Sequence, residues 1–313
     1  MLVFSGGTGT PKLLIGLKDV FDESQLSVVV NTAEDVWVSG NLVCPDVDSV
    51  LYALSGRIDE ERWWGVKDDT FTTHEVLRRL GYEEMLKIGD TDRATHILRS
   101  ELLRAGRSLT EATQILAERL RVRAKVIPMT DDRVETLIRT TEGKMHFQEF
   151  WVLRRGEPEV LGVEFKGMNE AKPSAAFLRE LRKAFVVLIG PSNPITSIGP
   201  ILRLRGIRDA LKNKFVVAVS PIIGKKAISG PAAKLMRACG YEASALGVLR
   251  CYADFLDVLV VDVRDELVRG KKEVDGVRLL AADTVMNDVK RCECLAEFIL
   301  DIVEAERLLP KRT

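Results

Sequence analysis

The stretch LVFSGGTGTPKLL (Leu2–Leu14) decides the fold of this chain. A short apolar run, Leu2–Phe4, is followed at once by a glycine-rich turn and then by a helical pattern from Pro11 to Val20. Glycines let the backbone approach an anion closely, and a helix N-terminus offers unpaired N–H groups to a phosphate. The stretch therefore predicts a strand, a phosphate-binding turn and a helix. A glycine-rich turn that serves close packing alone is the alternative.

The turn departs from two well-known phosphate-binding motifs. It lacks the second Gly-Lys-Ser/Thr of a Walker A loop, and Lys12 stands where the last glycine of GxGxxG belongs. Cofactors of hydride transfer are therefore not favoured.

Four further apolar runs repeat the first arrangement, and each ends in a small or polar turn. They are Leu26–Val30, Phe185–Ile189, Phe215–Val219 and Phe255–Val261. Apolar runs without polar alternation indicate strands buried on both faces, as in a parallel sheet. Helical patterns lie between them, the last from Ala282 to Glu306. We predict an α/β fold, a Rossmann-like parallel sheet with helices on both faces, whose five strand-to-helix turns converge on one crevice.

The middle of the chain has a different pattern. Four strand-like runs follow one another between Arg121 and Phe165, beginning with Val122–Ile127, and helix signals are few. We predict a smaller strand-rich insertion over residues 121–165 in a nucleotide-binding core formed by residues 1–120 and 166–313. Three roles remain open for this insertion: a lid, an interface, or a wall of the ligand pocket.

Composition excludes several classes of protein. The chain has 313 residues, 46% of them hydrophobic, and its 46 basic and 46 acidic residues cancel. Zero net charge argues against a general nucleic-acid binder. No apolar run approaches the roughly 20 residues that span a bilayer, and the first residues hold no signal-peptide core. Five scattered cysteines indicate neither a disulfide framework nor a zinc site. We expect a cytoplasmic protein without nucleic-acid or membrane partners.

Acidic residues follow the second strand and open the next helix. Glu34 and Asp35 end the segment NTAED, while Asp46 and Asp48 lie in CPDVDS. Carboxylates at a helix N-terminus often serve as caps. They also suit Mg²⁺, which is typically held by one or two carboxylates together with substrate phosphates. We predict a magnesium site that includes Asp46 and Asp48.

Other polar and aromatic residues are more ambiguous. The clusters Asp90–Arg93 and Asp131–Arg133 pair acids with an arginine, as surface salt bridges do. A lone helical histidine such as His96 is more often structural than catalytic. The adjacent Trp63 and Trp64 cannot share one face of a regular element, so we expect one in the core and the other beside a ligand. These residues together predict a protein that binds a nucleotide or phosphate ester with Mg²⁺.

Several long strings resemble one known family, the archaeal 2-phospho-L-lactate transferases of coenzyme F-420 biosynthesis. The resemblance runs in order from Met1 to about Asp262, with a looser tail from Val263. The strings are FSGGTGTPKLL, VVVNTAEDVWVSGNLVCPDVDSVLYALSG, RWWG, KIGDTDRATHI, PMTDDRVET, MHFQEFW, IGPSNPITSIGPI and SPIIG followed by SGPAAKLM.

The resemblance implies a reaction and its requirements. Lactyl-2-diphospho-5'-guanosine would donate its 2-phospho-L-lactate group to the terminal hydroxyl of Fo (7,8-didemethyl-8-hydroxy-5-deazariboflavin). GMP would be released and coenzyme F-420 without glutamate formed. The resemblance also implies a requirement for Mg²⁺ and a homodimer.

It further implies roles for particular residues. Asp48 and Lys87 match the Fo-binding positions, and we add Trp64 as an aromatic wall for the planar Fo ring. As catalytic residues, Asp48 would orient or deprotonate the hydroxyl and Asp46 would help to hold Mg²⁺. The residues expected to hold the guanosine diphosphate part are Gly6, Gly7, Thr8, Gly9, Thr10, Lys12, Ser192 and Asn193. The pair Lys225-Lys226 departs from the smaller residues expected after SPIIG.

Two alternatives remain at this point. A non-catalytic nucleotide-sugar-sensing regulator would have the same fold, since the gluconeogenesis-factor regulators share a GGTG-type first loop. A related transferase could use an enolpyruvyl or glyceryl donor, because such donors differ by a few atoms and a pocket separates them by only about 1–3 kcal/mol.

Overall fold

Strands and helices are interleaved along the chain. The computed structural model describes residues 1–224, 226–227 and 230–307. Its strands are β1 (Leu2–Ser5), β2 (Ser27–Val30), β3 (Val36–Val38), β4 (Asn41–Val43), β5 (Lys125–Pro128), β6 (Glu135–Thr140), β7 (Gly143–His146), β8 (Val160–Lys166), β9 (Val186–Ile189), β10 (Phe215–Val219), β11 (Ile222–Ile223), β12 (Lys226–Ala227), β13 (Val258–Asp262), β14 (Glu273–Val274) and β15 (Val277–Ala282). Its α-helices are α1 (Gly9–Val20), α2 (Pro45–Leu54), α3 (Thr72–Arg79), α4 (Asp90–Arg104), α5 (Leu109–Arg119), α6 (Ala175–Lys183), α7 (Ile198–Arg203), α8 (Ile207–Leu211), α9 (Ala232–Ala238), α10 (Ala245–Tyr252) and α11 (Val289–Arg307).

The central sheet contains, within these residues, eight strands in the spatial order β14-β15-β13-β10-β9-β1-β2-β5. Every neighbouring pair is parallel except β14 with β15. In the middle of the sheet, Val3 of β1 lies opposite Val28 of β2 on one side and Leu188 of β9 on the other. All five apolar runs form strands of this sheet, so the predicted α/β fold is confirmed.

Alternate residues of each strand pack on opposite faces of the sheet. Val3 and Val28 pack among helices α1, α2, α5 and α11, whereas Phe4 and Val29 pack among helices α6 to α10. Burial on both faces explains why the strands are apolar at consecutive positions rather than at alternate ones. The predicted helices on both faces are therefore present.

A small antiparallel sheet, in the order β7-β6-β8, forms the strand-rich insertion. A short π-helix, Glu149–Leu153, follows β7. The first of the predicted runs, Val122–Ile127, belongs elsewhere: its end forms β5, which pairs with β2 in the central sheet. Val126 and Ile127 are buried on opposite faces of that sheet, which is why their run does not alternate. The separate sheet thus begins at Glu135.

The helix predicted from Ala282 begins later. Ala282 ends β15, and α11 starts at Val289. Between them, the backbone N–H and the hydroxyl of Thr284 donate to the buried carboxylate of Asp262, at 2.9 and 3.0 Å. These bonds tie the segment to the end of β13 before the helix can begin. Of the unusual lysine pair, Lys225 lies outside the described residues.

None of the helices within the described ranges combines the length and the apolar character that crossing a membrane would require.

Gly16 of α1 lies directly against the backbone of α11. A Cβ added there would lie 2.2 Å from the carbonyl oxygen of Cys292. The two helices can approach this closely only because position 16 has no side chain.

We expect Gly16→Ala to lower the free energy of unfolding by about 1–3 kcal/mol, because α1 and α11 would have to move apart. Urea unfolding followed by circular dichroism measures this loss. Gly270→Ala is the control, since no heavy atom lies within 4 Å of the Cβ it would add. Equal stability of the two variants would contradict the tight contact.

Candidate active site

A cavity of about 340 Å³ lies at the carboxyl end of β1, where the spatial order of the strands reverses. The turn after β1 contributes Gly7 and Thr8, the turn after β2 contributes Glu34, and the turn after β9 contributes Asn193. Open α/β sheets bind their ligands at this position, because neighbouring turns diverge there and leave a crevice. The cavity is therefore the candidate site.

Connections after four of the five strands reach this cavity. After β10, the predicted turn at residues 220–224 does not line it, but Gly230 and Pro231, at the end of the same connection and just before α9, do. The described part of the turn after β13 does not line it and contacts the turn after β10, since the N–H of Gly224 donates to Asp265 at 2.8 Å. The expectation that all five turns meet in one crevice is therefore wrong for the turn after β13, whose strand lies two positions from β9 in the sheet.

Asp46 joins the glycine-rich turn to α2. It lies in the first turn of α2, is 4% exposed and lines the cavity. Its carboxylate accepts hydrogen bonds from the N–H of Gly7 at 2.7 Å and from Nδ2 of Asn31 at 2.9 Å. Burial raises the pKa of Asp46 to about 6, although both hydrogen bonds oppose the rise. The negative charge of Asp46 is therefore only partly compensated, by two neutral hydrogen-bond donors.

Asp48, two residues further along α2, carries a charge that is compensated. Its carboxylate forms a two-pronged ion pair with Arg99 of α4, in which Nη1 lies 3.1 Å from Oδ2 and Nη2 contacts Oδ1. Arg99 is fully buried. Burial alone would raise the pKa of Asp48, but the charges of Arg99 and His96 outweigh it and hold the pKa at about 2. Asp48 is thus a fixed anion that accepts hydrogen bonds and is a weak base.

His96 completes this charge network. Its Nε2 lies 3.2 Å from a carboxylate oxygen of Asp48 and 3.2 Å from one of Asp92. Burial alone would lower the pKa of His96, but the two carboxylates raise it to about 9. Asp92 also accepts the hydroxyl of Tyr52 at 2.8 Å. The two anions, Asp48 and Asp92, are therefore matched by two cations, His96 and Arg99.

Asp48, Asp92 and His96 are close enough to hold a metal ion, with ligand atoms within 4.8 Å of one another. Their chemistry fits Mg²⁺ poorly, however. A histidine ligand must be deprotonated, whereas the carboxylates hold His96 as a cation, and Mg²⁺ prefers oxygen ligands. Arg99 also engages both oxygens of Asp48. A hard cation fits better at carboxyl groups of the cavity that lack a basic partner.

Glu34 is such a carboxyl group. It lies just after β2, is 4% exposed and lines the cavity. Burial raises the pKa of Glu34 well above its usual value, and the negative charge of Asp46 raises it further. A hydrogen bond with the side chain of Thr196 acts in the opposite direction. The sequence predicts Glu34 as one of the acids of a possible cation site. In the structure, Glu34 and Asp46 line the same cavity and are close enough for their charges to interact.

The predicted Fo-binding residues all line the cavity. Lys87 does so with its Nζ 4.2 Å from the centre of the Phe71 ring, and Trp64 is 40% exposed. Trp63 is half-buried and packs against the core, as expected of one tryptophan of the pair, but it lines the cavity as well. The backbone of Trp63 is left-handed, with φ of 60°, and this breaks the alternation that would send the two rings to opposite faces.

The residues predicted to hold the diphosphate divide into two groups. Gly7, Thr8 and Asn193 line the cavity. Thr10 and Ser192 are buried, and their hydroxyl oxygens lie 2.6 Å apart, which ties the turns after β1 and β9 together.

The remaining members of this set also make packing contacts. A Cβ on Gly9 would lie 1.9 Å from the carbonyl oxygen of Pro191, and a Cβ on Gly6 would lie 2.7 Å from Cβ of Ser197. Nζ of Lys12 lies 4.4 Å from the centre of the Trp63 ring. Direct contact of these residues with a diphosphate stays a prediction.

The ambiguous acid clusters serve mainly as local ties. Asp90 accepts the N–H groups of Thr72 and Thr73 at 2.9 and 3.0 Å, which caps α3. Asp131 accepts the N–H of Thr110 at 2.7 Å. From the first cluster, Asp92 alone lines the cavity.

Residues of the insertion form the outer wall of the cavity. Phe147 and Gln148 follow β7, and Trp151 and Val152 lie in the π-helix. Trp151 is 40% exposed and Val152 is 41% exposed. Of the roles left open for residues 121–165, a wall of the ligand pocket is the one that these contacts support, although the string MHFQEFW assigned no role to individual residues.

Comparison with known proteins identifies the family of the chain. The sequence matches the family described as 2-phospho-L-lactate transferase CofD over residues 1–300. The chain belongs to this family. The expected resemblance is thereby confirmed.

Relatives of the CofD family cover almost the whole chain. The 2-phospho-L-lactate transferase of Methanosarcina barkeri is 54% identical over 304 residues, which are 97% of this chain and 98% of that protein. The 2-phospho-L-lactate transferase of Methanocaldococcus jannaschii is 48% identical over 303 residues, 96% of each. A crystal structure of a UPF0052 family member from Bacillus halodurans superposes with a TM-score of 0.63 at 19% identity, covering 96% of this chain and 97% of that one. At this identity the last likeness concerns the fold alone.

We expect Arg99→Met to lower the free energy of unfolding by about 3–5 kcal/mol, because Asp48 would remain buried without its main partner. Urea unfolding at neutral pH measures the loss. Adding Asp48→Asn to this variant should restore part of it, since no uncompensated anion remains. Arg123→Met is the control: its pair with Asp22 is exposed, so a change within about 1 kcal/mol is expected. A similar small change for Arg99→Met would contradict the network.

Proposed function

We propose that this protein transfers the 2-phospho-L-lactate group from lactyl-2-diphospho-5'-guanosine to the terminal hydroxyl of Fo, with release of GMP. The observation that carries the proposal is membership of the CofD family over residues 1–300, with relatives that are named 2-phospho-L-lactate transferase. The cavity supports it, because acids, a glycine-rich turn and an aromatic wall lie together there.

Fo would bind on the aromatic side of the cavity. The deazaflavin ring is planar, and Trp63, Trp64 and Trp151 offer apolar rings of matching size. Lys87 lines the same side and would contact a polar edge of Fo. This placement points the ribitol chain of Fo toward the acids of α2.

The diphosphate would bind at the glycine-rich turn. Gly7 and Thr8 line the cavity just before the first residue of α1, a 12-residue helix whose N-terminus favours negative charge. Asn193 adds an amide from the turn after β9. Lys12 of α1 would add positive charge between this turn and the aromatic wall, since its Nζ lies 4.4 Å from the centre of the Trp63 ring.

Asp48 would orient the nucleophile. Because Arg99 and His96 hold Asp48 as a fixed anion, it can accept a hydrogen bond from the Fo hydroxyl without first losing a proton of its own. The hydroxyl oxygen forms a bond to the phosphorus that bears lactate, and the bond from this phosphorus to the oxygen of GMP breaks. The hydroxyl proton leaves late in this displacement, through Asp48 to solvent, and GMP departs with the electron pair. Such displacements depend chiefly on positioning and charge neutralisation.

Mg²⁺ is part of the proposal, with Asp46 as one of its ligands. Asp46 suits Mg²⁺ because its carboxylate is buried, lines the cavity and, among the described residues, contacts no basic side chain. When bound, Mg²⁺ would neutralise charge on the diphosphate. Asp48, the second residue predicted to bind the metal, is already engaged by Arg99, so we assign it to the hydroxyl. The homodimer implied by the resemblance is also retained as a proposal.

The test is incubation of the purified protein with Fo, lactyl-2-diphospho-5'-guanosine and Mg²⁺, with and without EDTA, followed by mass spectrometry. We expect phospholactyl-Fo and GMP in equal amounts, and neither with EDTA. Enolpyruvyl and glyceryl analogues of the donor, assayed in parallel, rank donor preference by kcat/KM. Binding of the donor without transfer would contradict the proposal and favour the nucleotide-sugar-sensing regulator.

We expect Trp64→Ala to raise the KM for Fo about tenfold while kcat changes little, because the ring contributes binding but contacts no reacting atom. Trp37→Ala is the matched control, since Trp37 is 48% exposed and lies outside the residues that line the cavity. Steady-state kinetics with varied Fo measures both variants. An unchanged KM for Trp64→Ala would remove this residue from the Fo site.

A further inference from the structure

Glu34 has an unsatisfied oxygen in the wall of the cavity. The residue is 4% exposed, and its Oε1 is buried without a hydrogen-bond partner. Leaving such a group unpaired in a folded protein costs free energy, so a partner that arrives with a ligand is the natural explanation. The position of Glu34 on the cavity means that a bound ligand could reach it.

The charges around Glu34 repel an anion. Within the part of the chain that the structure describes, the charges acting most strongly on Glu34 are those of Asp46 and Asp35, both negative. Asp46 is held by Asn31 and by the backbone of Gly7, which are neutral donors. Two buried carboxyl groups that lack a cation must either take up a proton or bind a positive ion.

The acids on the other side of α2 differ in this respect. Asp48 and Asp92 contact Arg99 and His96 and so need no further cation. Among the carboxyl groups that line the cavity, the uncompensated pair is therefore Glu34 and Asp46, not the pair Asp46 and Asp48 that the sequence suggested. A cation would therefore bind most favourably beside Glu34 and Asp46, because no basic residue in the described part of the chain already balances their charges.

We propose that Glu34 and Asp46 are the two protein ligands of a divalent, hard cation, Mg²⁺ in the cell. Both supply carboxylate oxygens, the ligands that Mg²⁺ prefers, and Mg²⁺ commonly takes one or two carboxylates with substrate phosphates completing its shell. Gly7 and Thr8 line the same cavity, so a diphosphate on the glycine-rich turn would lie on the same side as this pair. The inference rests on the proposed function for the choice of Mg²⁺ and for the presence of a diphosphate.

Nearby polar residues support Glu34 in this role. A hydrogen bond joins the side chains of Glu34 and Thr196, and Nδ2 of Asn193 donates to Oγ1 of Thr196 at 3.0 Å. Nδ2 of Asn31 lies 3.3 Å from the carbonyl oxygen of Thr196 and also bonds Asp46. Residues that orient a ligating carboxylate in this way typically contribute to metal affinity.

The test measures binding of Mn²⁺ in place of Mg²⁺, by electron paramagnetic resonance of the free ion, with and without GDP. We expect saturable binding by the wild-type protein, competition by Mg²⁺, and at least about tenfold weaker binding by Glu34→Gln and by Asp46→Asn. Glu34→Gln keeps the size of the side chain and removes an ionisable group whose charged form is disfavoured by burial. Circular dichroism should therefore show a folded protein that is no less heat-stable than wild type without metal.

Glu180→Gln is the matched control, because Glu180 is also buried, at 8% exposed, but accepts hydrogen bonds from Ser27 and Lys125 away from the cavity. Its Mn²⁺ affinity should equal that of wild type. Undiminished Mn²⁺ binding by Glu34→Gln, or no binding by the wild type with GDP, would overturn the assignment.

The transfer assay separates this assignment from the proposed function. If the wild type binds Mn²⁺ through Glu34 but transfers no phospholactyl group, the cation site stands and the transferase function falls. If the wild type transfers the group and Glu34→Gln keeps full Mn²⁺ affinity, the transferase function stands and the cation site falls.

Discussion

The contact between the turns after β1 and β9 is the constraint on which the cavity depends. Gly9 lies against the backbone of Pro191, a Cβ on Gly190 would overlap Thr10, and the hydroxyls of Thr10 and Ser192 are paired. Side chains larger than hydrogen at the two glycines would push the turns apart. Because both turns start from adjacent strands at the point of reversal, this contact fixes the positions of Gly7, Thr8 and Asn193, which belong to the same turns and line the cavity.

Next to these turns, helix α2 carries two kinds of acid. Asp48 faces Arg99 and His96 of α4 and carries a permanent, compensated charge. Asp46 faces neutral donors and Glu34, so the charge on that side depends on what is bound. Two carboxylates two positions apart in sequence thus have opposite electrostatic roles, and burial makes the difference large because water cannot screen it.

Local patterns predicted the sheet well and the site in part. Consecutive apolar residues such as Val28 and Val29 mark a strand buried on both faces, and this rule holds without knowledge of partners. The sequence did not predict the role of Arg99, because its partner Asp48 is 51 positions away. No local pattern shows which arginine of a chain will be buried in the fold. The left-handed backbone of Trp63 was equally hidden, since only tertiary contacts favour that conformation for a tryptophan.

The wall formed by the insertion has a consequence for how this protein can change over evolutionary time. Phe147 and Trp151 belong to a segment outside the central sheet, whereas the acids and the glycine-rich turn belong to the sheet and its helices. Replacing the segment would alter the shape of one wall and leave the charged groups in place. Part of the proposed Fo pocket can therefore vary without the acids, whereas Trp64 and Lys87, which are also assigned to Fo, belong to the core.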